Sequence, residues 1–217
     1  MSSKQDVLNE MAQKLIKGDA DGVKTLTQQA LSQEISAVDI LNKGLVSGMN
    51  VVGDKFKNNE FFIPEVLIAA RAMKAGMEII RPMLVEANVK SRGKVIMGTV
   101  RGDLHDIGKN IVAMMLEGAG FDVVNLGTDM TIEKIMEQMK EGPADVVGLS
   151  ALLTTTMVYM KDVVDALKEA GMKDDVKVII GGAPITQAYA DEIGADGYAP
   201  DAASSVDLVK GLLNIQD

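Results

Sequence analysis

The chain has no cysteine, no tryptophan and a single histidine. Without thiols it forms no disulfide, zinc–thiolate site, iron–sulfur cluster or cysteine nucleophile, and a cytoplasmic location is the default expectation. Aromatics make up only 3% of the 217 residues, too few for the platforms on which single-stranded nucleic acid stacks. Cations are in deficit: 22 Lys and Arg face 31 Asp and Glu, a net charge of −9. That balance opposes the basic face that phosphate backbones select, so no nucleic-acid partner is expected. No apolar run approaches the about 20 residues of a membrane helix, and no membrane association is expected. The opening Met1-Ser2-Ser3-Lys4-Gln5-Asp6 lacks a basic start ahead of an apolar segment, which argues against a secretory signal.

What is present supports a sizeable core, with 47% hydrophobic residues. The 15 methionines read as adaptable core filling in preference to a Met-lined partner groove. Residues 1–88 read as helix throughout. Val7, Leu8, Met11 and Leu15 recur at helical spacing, and Gly18-Asp19 ends the run. Val23, Leu26, Ala30 and Leu31 mark a second helix. Ser36 is placed to cap a third, with Val38, Leu41, Leu45, Met49 and Val52 on one face. Lys57-Asn58-Asn59-Glu60 is a polar turn. Pro64 suits the first turn of a fourth helix, with Val66, Leu67, Ala70, Met73 and Met77 as its stripe. Pro82 is expected to kink or end it. Four amphipathic helices with short connections predict an antiparallel bundle.

Asn88-Val89-Lys90-Ser91-Arg92-Gly93 reads as a linker and hinge, and the charge balance changes there. Residues 1–88 carry 10 basic and 11 acidic groups, whereas residues 89–217 carry 12 and 20. From residue 89 on, strands and helices alternate. Lys94–Val100, Asp122–Leu126, Val146–Ser150, Val176–Ile180 and Gly197-Tyr198 are expected strands, apolar and β-branched as in strands buried on both faces. Helices are expected near Ile107–Gly120, Thr131–Glu141, Thr155–Ala170, Ile185–Ile193 and Ala202–Leu213. The fold class predicted is α plus α/β: a four-helix bundle over 1–88, then a doubly wound five-stranded parallel sheet over 89–217. In such sheets ligands bind at the C-terminal strand edge.

Three loops of that edge carry the candidate site. Arg101-Gly102-Asp103-Leu104-His105-Asp106-Ile107-Gly108 holds the sole histidine, with a carboxylate two residues before it. An imidazole so placed can ligate a metal while the carboxylate holds its other nitrogen. Ser150-Ala151-Leu152-Leu153-Thr154-Thr155-Thr156 and Gly181-Gly182-Ala183 are stripped of bulk. A lone loop histidine is ordinarily solvated, a Gly-Gly pair an ordinary tight turn, and a threonine run an ordinary helix start. None of these explains why two bulk-free loops accompany the only histidine. No nucleophile–base pair and no lysine-terminated phosphate loop is present.

The pattern Asp103-x-His105-x-x-Gly108, Ser150-x-Leu152 and Gly181-Gly182, separated by residues 109–149 and 153–180, resembles that of cobalamin-binding domains. Gly48-Met49-Asn50-Val51-Val52-Gly53-Asp54 and Phe61-Phe62-Ile63-Pro64-Glu65-Val66 look like the helical cap of the methionine synthase cobalamin module. The same pair occurs free-standing in the corrinoid proteins of methyltransferase systems. This resemblance implies a Rossmann-like domain binding cobalamin or a related corrinoid. It implies that His105 is the lower ligand to cobalt, replacing the cofactor's own base. Asp103 would accept from the far imidazole nitrogen, with Thr156 extending the relay. The displaced tail would lie among Ser150, Leu152, Thr154, Gly181 and Gly182, with a further contact at Ala202. Gly102, Leu104 and Asp106 would flank the ligand. Phe62 would cover the upper, methyl-bearing face.

The implied function is a methyl carrier that turns over no substrate alone. Its implied partners are a substrate-specific methyltransferase, a second methyltransferase with a folate or thiol acceptor, and a reductive activase. Two other functions use such domains. A cobalamin-dependent regulator would need a DNA-binding segment, for which the chain has no spare length. In the small subunit of an adenosylcobalamin mutase the Phe-x-Pro-Glu-Val cap is not expected.

Overall fold

A computed structural model describes residues 3–87 and 90–215. The expected boundary between residues 88 and 89, and part of the expected linker with it, lies outside the described residues. The chain divides into two compact units, Met1–Lys90 with Gly118–Gly120, and Ser91–Glu117 with Phe121–Asp217. No helix among the described residues is long and apolar enough to cross a membrane.

The helical unit comprises α1 (Lys4–Ile16), α2 (Ala20–Ser32), α3 (Ala37–Asp39), a π-helical segment (Ile40–Val46), α4 (Ser47–Lys57) and α5 (Ile63–Glu86). α3, the π-helical segment and α4 run on without a break, so four helical rods are present as expected. Their starts follow local chemistry. Ser3 Oγ accepts from the Asp6 amide at 3.1 Å while Asp6 accepts from the Ser3 amide at 2.9 Å, a reciprocal cap. Asp19 caps α2 through the Gly22 amide at 2.9 Å, and Ser36 caps α3 through Asp39 at 3.1 Å. Pro64 sits in the first turn of α5, where a missing N–H costs nothing.

Two expectations for this unit need correction, and of the two outcomes expected at Pro82, a kink or an end, the second does not occur. In the third rod the buried residues are Ile40, Gly44, Leu45, Val46, Gly48, Met49 and Val52, while Val38 is exposed and Leu41 only half-buried. The wider π turn rotates the inward face, so a stripe drawn at constant α spacing misses its first two positions. In α5 the core side is Val66, Ala69, Ala72, Met73, Gly76, Ile80 and Leu84, whereas Leu67 is exposed. This helix is apolar on most sides, so periodicity does not select the stripe. Small residues do: a Cβ on Gly76 would stand 2.9 Å from Leu45 and 3.0 Å from Val23. Finally, α5 runs past Pro82 to Glu86. The lost N–H breaks one ladder bond, yet the helix continues beyond it and still buries Leu84, while Met83 and Val85 are exposed.

The second unit runs β1 (Lys94–Thr99), α6 (Ile107–Gly118), β2 (Asp122–Asn125), α7 (Ile132–Glu141), β3 (Val146–Ser150), α8 (Thr154–Met157), α9 (Tyr159–Glu169), β4 (Lys177–Gly181), α10 (Gln187–Ile193), β5 (Gly197–Tyr198) and α11 (Ala202–Leu212). All five strands are parallel, in the order β2-β1-β3-β4-β5, so the doubly wound sheet stands as predicted. β1, β3 and β4 are buried and apolar, while β2, at the edge, is half-exposed. Ile96, Val147, Leu149, Val178 and Ile180 lie in one core with Met160, Val163 and Leu167 of α9. Each such side chain contributes about 1.5–3 kcal/mol by leaving water. The helix expected over Thr155–Ala170 is two pieces broken at Val158. The Met157 carbonyl accepts the Tyr189 hydroxyl at 2.9 Å, and the Lys161 amide bonds Val158 at 3.2 Å.

Strand order sets the site. The chain leaves β1 toward one side and β3 toward the other, so the crevice opens between them. Register aligns Thr99 with Ser150 and Ser150 with Gly181, so the three candidate loops start level with one another.

Candidate functional site

The β1 loop begins with a turn in which the Asp103 amide bonds the Val100 carbonyl at 3.1 Å. Gly102 takes a φ of +81°, a region open to glycine at little cost. Its amide donates to Asp129 Oδ1 at 2.8 Å, and the Asp129 amide donates to the Asp103 carbonyl at 3.1 Å. The turn directs the Asp103 side chain inward, where it is fully buried.

A buried carboxylate is costly unless its lone pairs are filled, and here they are. Oδ1 accepts from the His105 amide at 3.0 Å and pairs with His105 Nδ1 at 2.8 Å. Oδ2 accepts from the Leu152 amide at 2.8 Å, the Leu153 amide at 3.3 Å and Thr156 Oγ1 at 2.7 Å. Burial by itself would favour the protonated acid. The bonds from the His105 amide, Thr156, the Leu152 amide and the His105 ring outweigh it and hold Asp103 well below the usual carboxylate range. Asp103 is therefore an anion that can only accept, and it requires a proton on Nδ1 of His105. The nitrogen left over is Nε2, on a ring that is half-exposed.

The other expected site residues lie on the strand ends, loops and helix starts of the α/β unit, except Phe62. Leu104, Ile107, Leu152 and Leu153 are exposed apolar side chains on the β1 and β3 loops. Ser150 ends β3, and Thr154 opens α8 in the open. Asp106 accepts from Asn110 Nδ2 at 2.9 Å, and a Cβ on Gly108 would meet nothing within 4 Å. Gly182 has a φ of +129°, and a Cβ there would lie 1.8 Å from the Ala151 carbonyl oxygen. Glycine is thus required because the β3 and β4 loops touch backbone to backbone. A Cβ on Gly181 would stand 3.3 Å from the Ala199 carbonyl. Ala202 is the first residue of α11, just beyond β5, and is buried. Phe62 belongs to the helical unit, where it is exposed at the N-cap of α5.

Sequence reasoning missed Thr99, Asp129 and the Leu153 amide. Thr99 is fully buried, and its hydroxyl donates to the His105 carbonyl at 2.9 Å. A threonine at the end of an apolar strand was the available signal for it. Nothing local marked the Leu153 amide.

The chemistry of the arrangement is narrow. Among the described residues no group of three or more His, Asp or Glu could hold a metal ion. His105 offers one nitrogen, so a metal bound here arrives with other ligands of its own. The exposed apolar side chains beside it suit a flat, largely apolar carrier of that metal. The residues present therefore fit a metal held in an organic macrocycle.

Comparison with known proteins bears on the same residues. A family model described as a B12 binding domain matches residues 93–207, and another with the same description matches residues 7–81. The chain is 46% identical over 212 residues to dimethylamine corrinoid protein 1 of Methanosarcina acetivorans, across 97% of this chain and 99% of that protein. It is 44% identical over 210 residues to a corrinoid protein of Desulfitobacterium hafniense, across 95% and 97%. Among solved structures it is similar to a chain of the methanol:cobalamin methyltransferase complex of Methanosarcina barkeri. There the TM-score is 0.87 at 30% identity, across 96% of this chain and 80% of that one.

Proposed function

The chain belongs to the B12-binding corrinoid proteins, and from that premise we propose that it is a methyl carrier whose lower cobalt ligand is His105. When bound, the corrinoid supplies a cobalt centre that takes a methyl group from one methyltransferase and yields it to another. The observation that carries the ligand assignment is the Nδ1 contact of His105 with the buried Asp103 at 2.8 Å, which leaves Nε2 as the half-exposed donor. Ser150, Leu152, Thr154, Gly181, Gly182 and Ala202 would hold the displaced base of the cofactor and its tail.

Asp103 sets the tautomer and orientation of the ring through its contact with Nδ1. Thr156 and the Leu152 and Leu153 amides hold Asp103 in turn. Leu104, Ile107, Leu152 and Leu153, exposed apolar side chains, would pack on the bound corrinoid and shield Nε2 from water. The first methyltransferase serves a methylated substrate of the kind named for the relatives, a methylamine or methanol. The second serves a folate or thiol acceptor, and a reductive activase restores oxidised cobalt.

The test is reconstitution with hydroxocobalamin followed by gel filtration and an absorbance spectrum, for wild type and His105→Ala. Wild type is expected to retain the pigment with histidine in place of the cofactor's base, and the variant to lose that signature. A colourless wild type ends the carrier reading. Identical spectra from both proteins would leave the cofactor in place and remove His105 as its ligand.

A further inference from the structure

His105 is held from two sides, and the Asp103 relay is only one of them. On the other side stands Lys109, in the first turn of α6 and only 2% exposed. Its ammonium donates to Oδ1 of Asn110 at 2.6 Å and to Oδ1 of Asn125, at the end of β2, at 2.7 Å. Both acceptors are neutral amides, a costly setting for a buried cation. Burial pulls the lysine's pKa down, while the nearby Asp106 acts the other way. The relay through Asp103 makes no use of this buried charge.

Two hydrogen-bonded paths lead from it to the histidine. Along the first, Asn110 Nδ2 donates to Oδ2 of Asp106, the residue after His105, at 2.9 Å. Along the second, Asn125 Oδ1 also accepts from the Gly127 amide at 3.0 Å. The Gly127 carbonyl accepts from the Thr99 amide at 2.9 Å, and the Thr99 hydroxyl donates to the His105 carbonyl at 2.9 Å. Asn125 Nδ2 closes the ring onto Asn110 Oδ1 at 3.1 Å. One ammonium thus joins α6 to the end of β2 and is linked to the His105 carbonyl along one path and to the Asp106 side chain along the other. A charged donor with several protons suits this, because charge-assisted bonds are the stronger kind and one nitrogen can serve two acceptors.

We propose that Lys109 is a positioning residue for His105: through Asn110 and Asn125 it fixes the direction in which the ring projects, as Asp103 fixes its tautomer. The proposal rests on the reading of His105 as the cobalt ligand. An imidazole held at one ring nitrogen can still swing with its backbone. The Thr99 and Asp106 contacts remove that freedom, and Lys109 is the node they share.

The experiment compares wild type, Lys109→Met and Asn125→Ala in two ways. One is amide hydrogen exchange at Thr99 and Gly127 in the cofactor-free protein. The other is the absorbance spectrum and pigment retention after reconstitution with hydroxocobalamin. Lys109→Met keeps the apolar stem and removes the donors. It is expected to speed exchange at Gly127 by roughly tenfold and weaken corrinoid retention by roughly 10-fold or more, with a smaller histidine-ligated fraction. Val163→Ala, in the core of the same unit, controls for destabilisation and is expected to leave the Gly127 amide and the spectrum unchanged. If Lys109→Met does not fold, Asn125→Ala cuts the same path with the lysine in place and must give both effects. Exchange at Gly127 equal to wild type overturns the proposal, as does a loosened loop with unchanged histidine ligation. Failure of the carrier reading is told apart because it shows as a colourless wild type.

Discussion

The two units treat buried polar groups differently. Among its described residues the helical unit buries one polar side chain, Thr27, whose hydroxyl bonds the Val23 carbonyl one turn back in its own helix at 2.8 Å. The α/β unit has a buried hydroxyl of the same kind in Ser205, which bonds the Ala202 carbonyl at 2.6 Å, and it also buries Lys210, but it further buries Thr99, Asp103 and Lys109 within one stretch of chain, each satisfied by a different segment. Asp103 draws on Leu152, Leu153 and Thr156, Lys109 on Asn125, and Thr99 on the loop of His105. A polar group satisfied within its own helix needs nothing from the fold. One satisfied from afar ties segments together, and it carries a desolvation cost that only the assembled fold offsets.

The sharpest way to break this contrast is Asp103→Ala. It leaves the Leu152, Leu153 and His105 amides, the His105 ring and Thr156 without their acceptor, and a loss of about 4 kcal/mol is expected in urea unfolding of the cofactor-free protein. A loss under about 1 kcal/mol would mean the network is not integral to the fold. The same group fixes a pH dependence. The native carboxyl holds its proton less readily than the unfolded one, so its stabilisation is fully present above the unfolded pKa of about 3.9. As pH falls below that value the unfolded chain binds the proton first, and stability drops. Asp103→Asn is expected to lack this acid component, which unfolding midpoints between pH 3 and 5 would reveal.

Next in size is a pair of glycines. Gly182→Ala places a methyl against the Ala151 carbonyl and demands a positive φ, and backbone cannot give way as a side chain does. About 3 kcal/mol is expected. Gly76→Ala in α5 meets only the ends of Leu45 and Val23, and alanine's helix propensity offsets part of the crowding, for a net loss of about 1 kcal/mol. Equal losses would contradict the distinction between backbone and side-chain contact. Smallest is the threonine pair. Thr99→Val removes a bond that crosses to His105 and is expected to cost about 1.5 kcal/mol. Thr27→Val, whose carbonyl partner belongs to its own helix, is expected to stay within about 0.5 kcal/mol. Thermal unfolding of the two variants beside wild type ranks them.

Much of this was legible in the chain because it is local. Ser3, Asp19 and Ser36 announce their caps within three residues. The apolar β-branched runs announce strands buried on both faces. His105 could be placed on a strand-to-helix loop, and Thr156 named as the relay hydroxyl once the resemblance was in hand. The rest depended on packing. Constant α spacing failed where the π turn rotates the third rod and buries Ile40 in place of Val38. Leu67 could not be excluded from the α5 stripe, because an all-round apolar helix reveals its inner side only through what packs against it. Lys109 looked like any helix lysine until Asn125 arrived beside it.

The sequence alone therefore determined the order and type of the elements, the helical and parallel-sheet classes, and the loop bearing the only histidine. Those follow from hydrophobic period, caps and turns, which act over a few residues. The tertiary structure decided which nitrogen of His105 meets Asp103, why Gly182 must be glycine, and which side chains satisfy the buried Asp103 and Lys109. Those depend on β1 lying between β2 and β3, which brings Asn125 to Lys109 and the Leu152–Thr156 segment to Asp103. Buried charges accept only the partners that strand order delivers.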